Sequence, residues 1–71
     1  MNNKFKINQK VLVNGYGKNE NELYVNKKGK VIEKDDFFLD YNIAFSKIKS
    51  DWFNENCLKA IRNYKKGNKN L

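Results

Sequence analysis

Apolar and polar residues alternate over several short stretches of the chain, as they do in β-strands that bury one face. Val11 and Val13 stand two positions apart between the polar residues Lys10 and Asn14 and predict a strand at about 10–14 that buries one face. Four further stretches predict short strands: KVIEKD (30–35), YNIAF (41–45), DWFNE (51–55) and LKAI (58–61). No helical apolar period is visible, so the pattern predicts an all-β domain of five short antiparallel strands.

The segments between these strands carry turn-forming residues. Glycine and asparagine are frequent in residues 15–29, which predicts a long irregular loop anchored by Tyr16, Leu23 and Tyr24. Asn8 and Gln9 predict a turn that leads into the first strand. Three shorter connections are predicted at DDFFLD (35–40), SKIKS (46–50) and NENC (54–57).

The alternation also predicts which side chains form the core. The inward set is Val11, Val13, Val31, Ile43, Phe45, Phe53 and Leu58. Trp52 and Phe53 are adjacent on one strand and must face opposite ways, so an inward Phe53 leaves Trp52 on the outer face. We predict a folded domain over 1–62 and a flexible basic tail over 63–71, where no apolar face is available.

Positive charge is concentrated at the two ends of the chain. Residues 1–18 carry +4, residues 59–71 carry +5 and the middle carries −2, within a net charge of +7. A patch formed by both ends would attract phosphates or an acidic protein surface. Lysine and asparagine are both abundant, so codon usage in an AT-rich genome explains the charge as well. The single arginine argues against reading of specific bases.

Several classes of function are excluded by composition. The chain has no histidine and one cysteine, Cys57, so Ser-His, Cys-His and Cys/His zinc sites cannot form. Adjacent carboxylates such as Asp35 and Asp36 are better explained as turn formers than as an acid/base pair. No apolar run approaches a membrane span or a signal-peptide core. We therefore expect a cytoplasmic binding protein without enzymatic activity, cofactor or metal, with Cys57 as a small half-buried apolar residue.

The frame QKVLV, KKGKVIEK, DYNIAF and DWFNENCLKAI resembles the small SH3-like barrel proteins of Gram-positive bacteria and their phages, of the YorP-like kind. Its layout is also similar to KOW and Tudor-type barrels, in which a glycine precedes a β-branched pair, here Gly29 before Val31 and Ile32. The resemblance implies a five-stranded SH3-like barrel over roughly 5–62. KOW barrels imply contact with RNA or transcription machinery. The ALYDY motif is absent, so polyproline recognition is not carried over.

The candidate binding surface combines aromatic and basic residues. In SH3-like barrels the long first loop and the second-strand turn flank one groove, which predicts an aromatic groove of Tyr16, Tyr24, Phe37, Phe38 and Trp52. The candidate basic residues beside it are Lys59, Arg62, Lys65 and Lys66. Such a surface can stack bases or hold a peptide. We therefore expect non-specific binding to the nucleic-acid backbone. The alternative is a phage- or mobile-element-encoded factor that binds and modulates a host protein, and the aromatics could instead simply cover the core.

Overall fold

The computed structural model of the chain describes residues 4–61, which form one antiparallel sheet. Its strands are β1 (Lys10–Tyr16), β2 (Leu23–Asp35), β3 (Asp40–Ala44), β4 (Ser50–Asn54) and β5 (Leu58–Ala60). They lie in the order β4-β3-β2-β1-β5, so the sheet is open, with β4 and β5 at its edges. The predicted all-β, five-stranded antiparallel architecture is confirmed. The predicted tail and Arg62 lie outside the described residues.

The predicted long loop at 15–29 is wrong, because β2 already begins at Leu23. Tyr16 pairs with Leu23 and Gly15 with Tyr24, which leaves a connection of only six residues, 17–22. Cross-strand pairing with β1 outweighs the local turn preference of the asparagines and glycines in this stretch. Pairing with a neighbouring strand gives hydrogen-bond partners to the backbone N–H and C=O groups that folding removes from water.

Two β-bulges bend β2. Asn14 on β1 faces both Val25 and Asn26, and Ile32 is the extra residue where β2 runs beside β3. Asn26 has φ of 48°, a left-handed conformation that asparagine tolerates better than most residues. The Asn26 backbone N–H donates to Asn14 Oδ1 at 2.9 Å, which replaces the ladder bond lost at the bulge. An asparagine that predicts a loop therefore lies inside a strand.

The core lies on one face of the bent sheet. Six of the seven predicted core residues are buried, and Phe45 is half-buried and packs against them. Phe5, Tyr24 and Tyr41 complete the buried set. The Phe5 ring meets the Tyr41 ring edge-on with centroids 5.3 Å apart, which covers the end of the core with the N-terminal segment. Cys57 is half-buried against this core, as predicted.

The two short connections predicted near the strand ends are confirmed. A 3₁₀ turn at Glu55–Cys57 joins β4 to β5, and Asn54 caps it by accepting the Asn56 N–H at 2.9 Å. The turn at Asn8 has φ of 76°, and the Asn8 N–H donates to the Val31 carbonyl at 2.7 Å. Nowhere in residues 4–61 is there a helix long and apolar enough to cross a membrane.

The 17–22 connection is fastened to the edge strand β4 by one carboxylate. Asp51 is buried, and its carboxylate accepts the backbone N–H groups of Asn19 (2.9 Å) and Glu20 (3.0 Å). The Lys18 N–H donates to the Trp52 carbonyl at 2.9 Å. Gly17 is required here because a Cβ would overlap the Asp51 carboxylate. These contacts bring the end of β1 across to the far edge of the sheet.

Candidate functional site

Four exposed lysines cluster on the outer face of the sheet. Val11 and Val13 point into the core, so Lys10 and Leu12 lie on the opposite face. Lys10 is directly opposite Lys30. Leu12 lies between Lys28 on β2 and Lys59 on β5. We call Lys10, Lys28, Lys30 and Lys59 the lysine face.

The lysine face is electrostatically unfavourable in the isolated protein. Like charges directly opposite each other on neighbouring strands destabilise a sheet, and Lys10 and Lys30 are such a pair. Within residues 4–61 the ion pairs are Lys18–Asp40 and Lys49–Glu22, so no described carboxylate neutralises the lysine face. The face therefore presents a concentrated positive field to solvent.

A groove opens beside the lysine face. Lys10, Lys28 and Lys30 line it together with Lys47 from the β3–β4 connection, and no acidic residue does so. Its other lining residues are largely apolar: Gly29, Ile32, Ala44, Phe45 and Ser46. The volume is about 600 Å³, within the usual range for ligand sites. We call this the basic groove, and it combines an apolar floor with a cationic rim.

The five aromatics predicted to line one groove are spread over the molecule. Tyr24 is buried and belongs to the core, where its ring stacks on Phe45 at 4.6 Å. Burial raises the pKa of its phenol. Trp52 is half-buried on the outer face of β4, opposite Asn42, as the alternation predicts.

The other three predicted aromatics are exposed. Tyr16 lies at the end of β1, and Phe37 and Phe38 lie together in the β2–β3 turn. The ring centroids of Phe37 and Phe38 are 4.7 Å apart, and this is the one ring–ring contact among the five predicted aromatics, all of which lie within residues 4–61. The structure thus keeps an aromatic pair at the turn and moves Tyr24 into the core.

The β2–β3 turn holds Phe37 and Phe38 outward in a fixed geometry. Asp35 Oδ1 accepts the backbone N–H groups of Phe37 (2.9 Å) and Phe38 (3.3 Å). The Leu39 N–H donates to the Asp35 carbonyl at 2.8 Å, and the Leu39 carbonyl accepts the Glu55 N–H at 3.2 Å. Side-chain capping of this kind is why aspartate favours turns. The predicted turn at 35–40 is confirmed.

Replacing Asp35 should separate the turn geometry from its charge. Asp35→Ala removes the acceptor of two N–H groups and is expected to cost about 1 kcal/mol of unfolding free energy, the usual value for a lost cap. Asp35→Asn keeps an acceptor oxygen and should cost less than half as much. Urea unfolding of both variants measures the difference. Equal losses in the two variants would show that the charge, and not the hydrogen bonds, stabilises the turn.

A second groove, near Tyr24, contains an ion pair and one further lysine, Lys27. Lys49 Nζ contacts Glu22 Oε1 at 2.8 Å, and Tyr24 Oη donates to the same oxygen at 3.2 Å. The hydrogen bond from Lys49 lowers the pKa of Glu22, and the same bond raises the pKa of Lys49. The charges of Lys49 and Glu22 offset each other, so Lys27 supplies the remaining charge on the lining of this groove.

The predicted basic residues are only partly described. Lys59 is exposed on β5 and belongs to the lysine face, whereas Arg62, Lys65 and Lys66 lie outside the described residues. Sequence reasoning missed Lys28 and Lys30, because counting charge by segment places them in the slightly acidic middle of the chain. The period-two spacing of KKGK beside a predicted strand is the signal that could have found them.

No group of three or more cysteine or carboxylate side chains in the described part of the chain could hold a metal ion. Comparisons with protein-family models, with curated proteins and with solved structures gave no match. The function is therefore argued from the geometry of the lysine face and the basic groove.

Proposed function

We propose that the protein binds nucleic acid non-specifically, through the phosphate backbone, on the lysine face. The observation that carries the proposal is the direct opposition of Lys10 and Lys30 beside Lys28 and Lys59. Such a cluster costs stability in the free protein. A bound polyanion neutralises the lysines and so removes the repulsion between them. Each phosphate that contacts a lysine also releases a condensed counterion, which favours binding.

Lysine chemistry favours contact with phosphates over reading of bases. An ammonium group is a flexible point charge, whereas bidentate recognition of a base edge is what the arginine fork does best. The basic groove adds an apolar floor to the cationic rim, which suits a single strand whose bases are free to leave solvent. Single-stranded DNA or RNA is therefore the proposed ligand.

The proposal includes an SH3-like barrel for the fold and a cytoplasmic location. The barrel is supported by the strand order, by the 3₁₀ turn between β4 and β5, and by the two bulges that bend β2. The hydrogen bond from the Lys18 N–H to the Trp52 carbonyl adds a link between the end of β1 and the far edge strand. Bulges that curve a sheet in this way are typical of small barrels.

The lysine face should control the salt dependence of binding. We expect labelled oligo-dT to bind weakly at low salt, with an affinity that falls steeply as salt rises. In the variant Lys10→Gln/Lys30→Gln, the slope of log K against log salt should become shallower by about 1.4, since each single-strand phosphate contact contributes about 0.7. Fluorescence anisotropy over a salt series measures this.

A matched variant controls for net charge. Lys6→Gln/Lys27→Gln removes two charges from exposed positions outside the lysine face and should leave the slope nearly unchanged. Equal changes in the two variants, or no binding at low salt, would contradict the proposal. If no binding occurs at low salt, the alternative role of binding a host protein becomes the leading account. Trp52 lies on the same outer face, so its fluorescence should respond if a base stacks on it.

A further inference from the structure

The β2–β3 turn carries the longest run of consecutive exposed apolar residues in the described chain. Phe37 is 83% exposed, Phe38 is 62% exposed and Leu39 is 40% exposed. These three consecutive residues form what we call the apolar tip. Two adjacent exposed phenylalanines of this kind are uncommon on a surface that has no partner.

The apolar tip is held rigidly and at a cost in backbone strain. Leu39 has φ of 60°, and the other non-glycine residues with positive φ in the described chain are all asparagines. A leucine in this left-handed region is strained by about 1–2 kcal/mol. Hydrogen bonds from both sides nevertheless hold its backbone in place, to Asp35 and to Glu55. A rigid tip loses little conformational entropy on docking, which favours contact with a preformed pocket.

The charges around the apolar tip select the kind of pocket. Asp35 and Asp36 immediately precede it and outnumber Lys34, the residue before them, while Lys18 is paired with Asp40 at 2.9 Å. Negative charge beside the aromatics disfavours a phosphate backbone or an anionic lipid surface as the occupant. The complementary surface is an apolar pocket with a cationic rim.

The protein itself carries such a pocket. The basic groove has four lysines at its rim, an apolar floor, and about 600 Å³ of space. Two phenylalanine side chains fit within that volume, and Asp35 and Asp36 would meet the rim lysines. The phenylalanines of the apolar tip thus suit the apolar floor of the basic groove, and the adjacent aspartates are opposite in charge to its lysine rim.

The two surfaces cannot meet within one molecule. The apolar tip precedes the first residue of β3, whereas the basic groove includes Ala44, the last residue of that strand, and the connection after it. A five-residue strand separates them by roughly 15 Å. We propose that the apolar tip of one molecule docks in the basic groove of a second copy, in a head-to-tail contact.

A head-to-tail contact uses two different surfaces, so each molecule retains one free tip and one free groove. Association of this kind does not stop at a dimer unless the geometry closes a ring. The contact is small and belongs to the weak, transient class of interfaces. We therefore expect self-association with a dissociation constant of about 1 mM. The inference does not depend on nucleic-acid binding, although a bound strand would compete for the groove.

Mixing two defective variants tests the contact directly. Phe37→Ser/Phe38→Ser removes the aromatic rings of the apolar tip and leaves the basic groove intact. Lys30→Glu/Lys47→Glu reverses two charges at the rim of the basic groove and leaves the apolar tip intact. All four positions are exposed, so both variants should fold, which far-UV circular dichroism checks. In sedimentation velocity without nucleic acid, each variant alone should associate at least about tenfold more weakly than the unmodified protein.

The equimolar mixture should recover one intact tip and one intact groove. It is expected to form a species of twice the 8.4 kDa chain mass and nothing larger, because no second productive contact remains. Val25→Ser removes an exposed apolar side chain elsewhere and should associate like the unmodified protein. An unmodified protein that stays monomeric at about 1 mM, or a mixture that stays monomeric, would overturn the proposal. Neither result bears on the oligo-dT salt series, so the two proposals fail separately.

Discussion

Asp51→Ala should lower the free energy of unfolding by about 2–4 kcal/mol, more than any other polar substitution in the described chain. The buried carboxylate accepts the N–H groups of Asn19 and Glu20, and hydrogen bonds to a charged group contribute about 1.5–3 kcal/mol each. The 17–22 connection can relax toward water, which recovers part of the loss. A domain of this size has only about 5–15 kcal/mol of stability, so the variant would be close to unfolding.

Urea unfolding with constant m-value measures this effect, and Asp51→Asn is the matched control. Asparagine keeps one acceptor oxygen but places an amide donor against a backbone N–H. Asp51→Asn should therefore lower the free energy of unfolding, but by less than Asp51→Ala does. Amide hydrogen exchange should accelerate at Asn19 and Glu20 in both variants. Unchanged stability in Asp51→Ala would mean that the connection is not fastened to β4 through this carboxylate.

Ile43→Ala should cost about 2–5 kcal/mol, because Ile43 is fully buried and its truncation leaves a cavity in the core. Gly29→Ala should also destabilise, by about 1–3 kcal/mol, since the added Cβ overlaps Ile43 Cγ2. Gly29 pairs with Val11, whose side chain is also in the core, so this overlap is within the packed interior.

The two substitutions should be coupled. In Gly29→Ala/Ile43→Ala the truncated side chain makes room for the new methyl group, so the combined loss should be smaller than the sum by about 1 kcal/mol or more. Unfolding of the four proteins under one set of conditions gives the coupling. Strict additivity would contradict the close packing of Gly29 against Ile43.

Much of the core could be predicted because alternation is a local property. Val11 and Val13, and likewise Tyr41 and Ile43, stand two positions apart within short strands, so their shared inward direction follows from the period of two. The same reasoning places Trp52 on the outer face, where the structure has it. The turn at Asp35 was predictable as well, because an aspartate that caps its own turn acts within four residues.

The candidate site was less predictable because it depends on pairing between distant segments. Lys10 and Lys30 are twenty positions apart, and only the β1–β2 register makes them direct neighbours. Segment-wise charge counting cannot detect this. The apolar tip was found in the sequence as two aromatics in a turn, but its exposure and its relation to the basic groove required the three-dimensional arrangement.

The sequence by itself determined the fold class, the inward faces of the regular strands and the positions of the short turns, since these follow from interactions within a few residues. Only the tertiary structure decided the length of β2 and the face of Tyr24. Tyr24 and Val31 are seven positions apart, which would put them on opposite faces of a regular strand. The bulge at Asn26 inserts one residue and returns Tyr24 to the core side. The position of a bulge depends on pairing with the partner strand, so the local alternation of apolar and polar residues does not predict it.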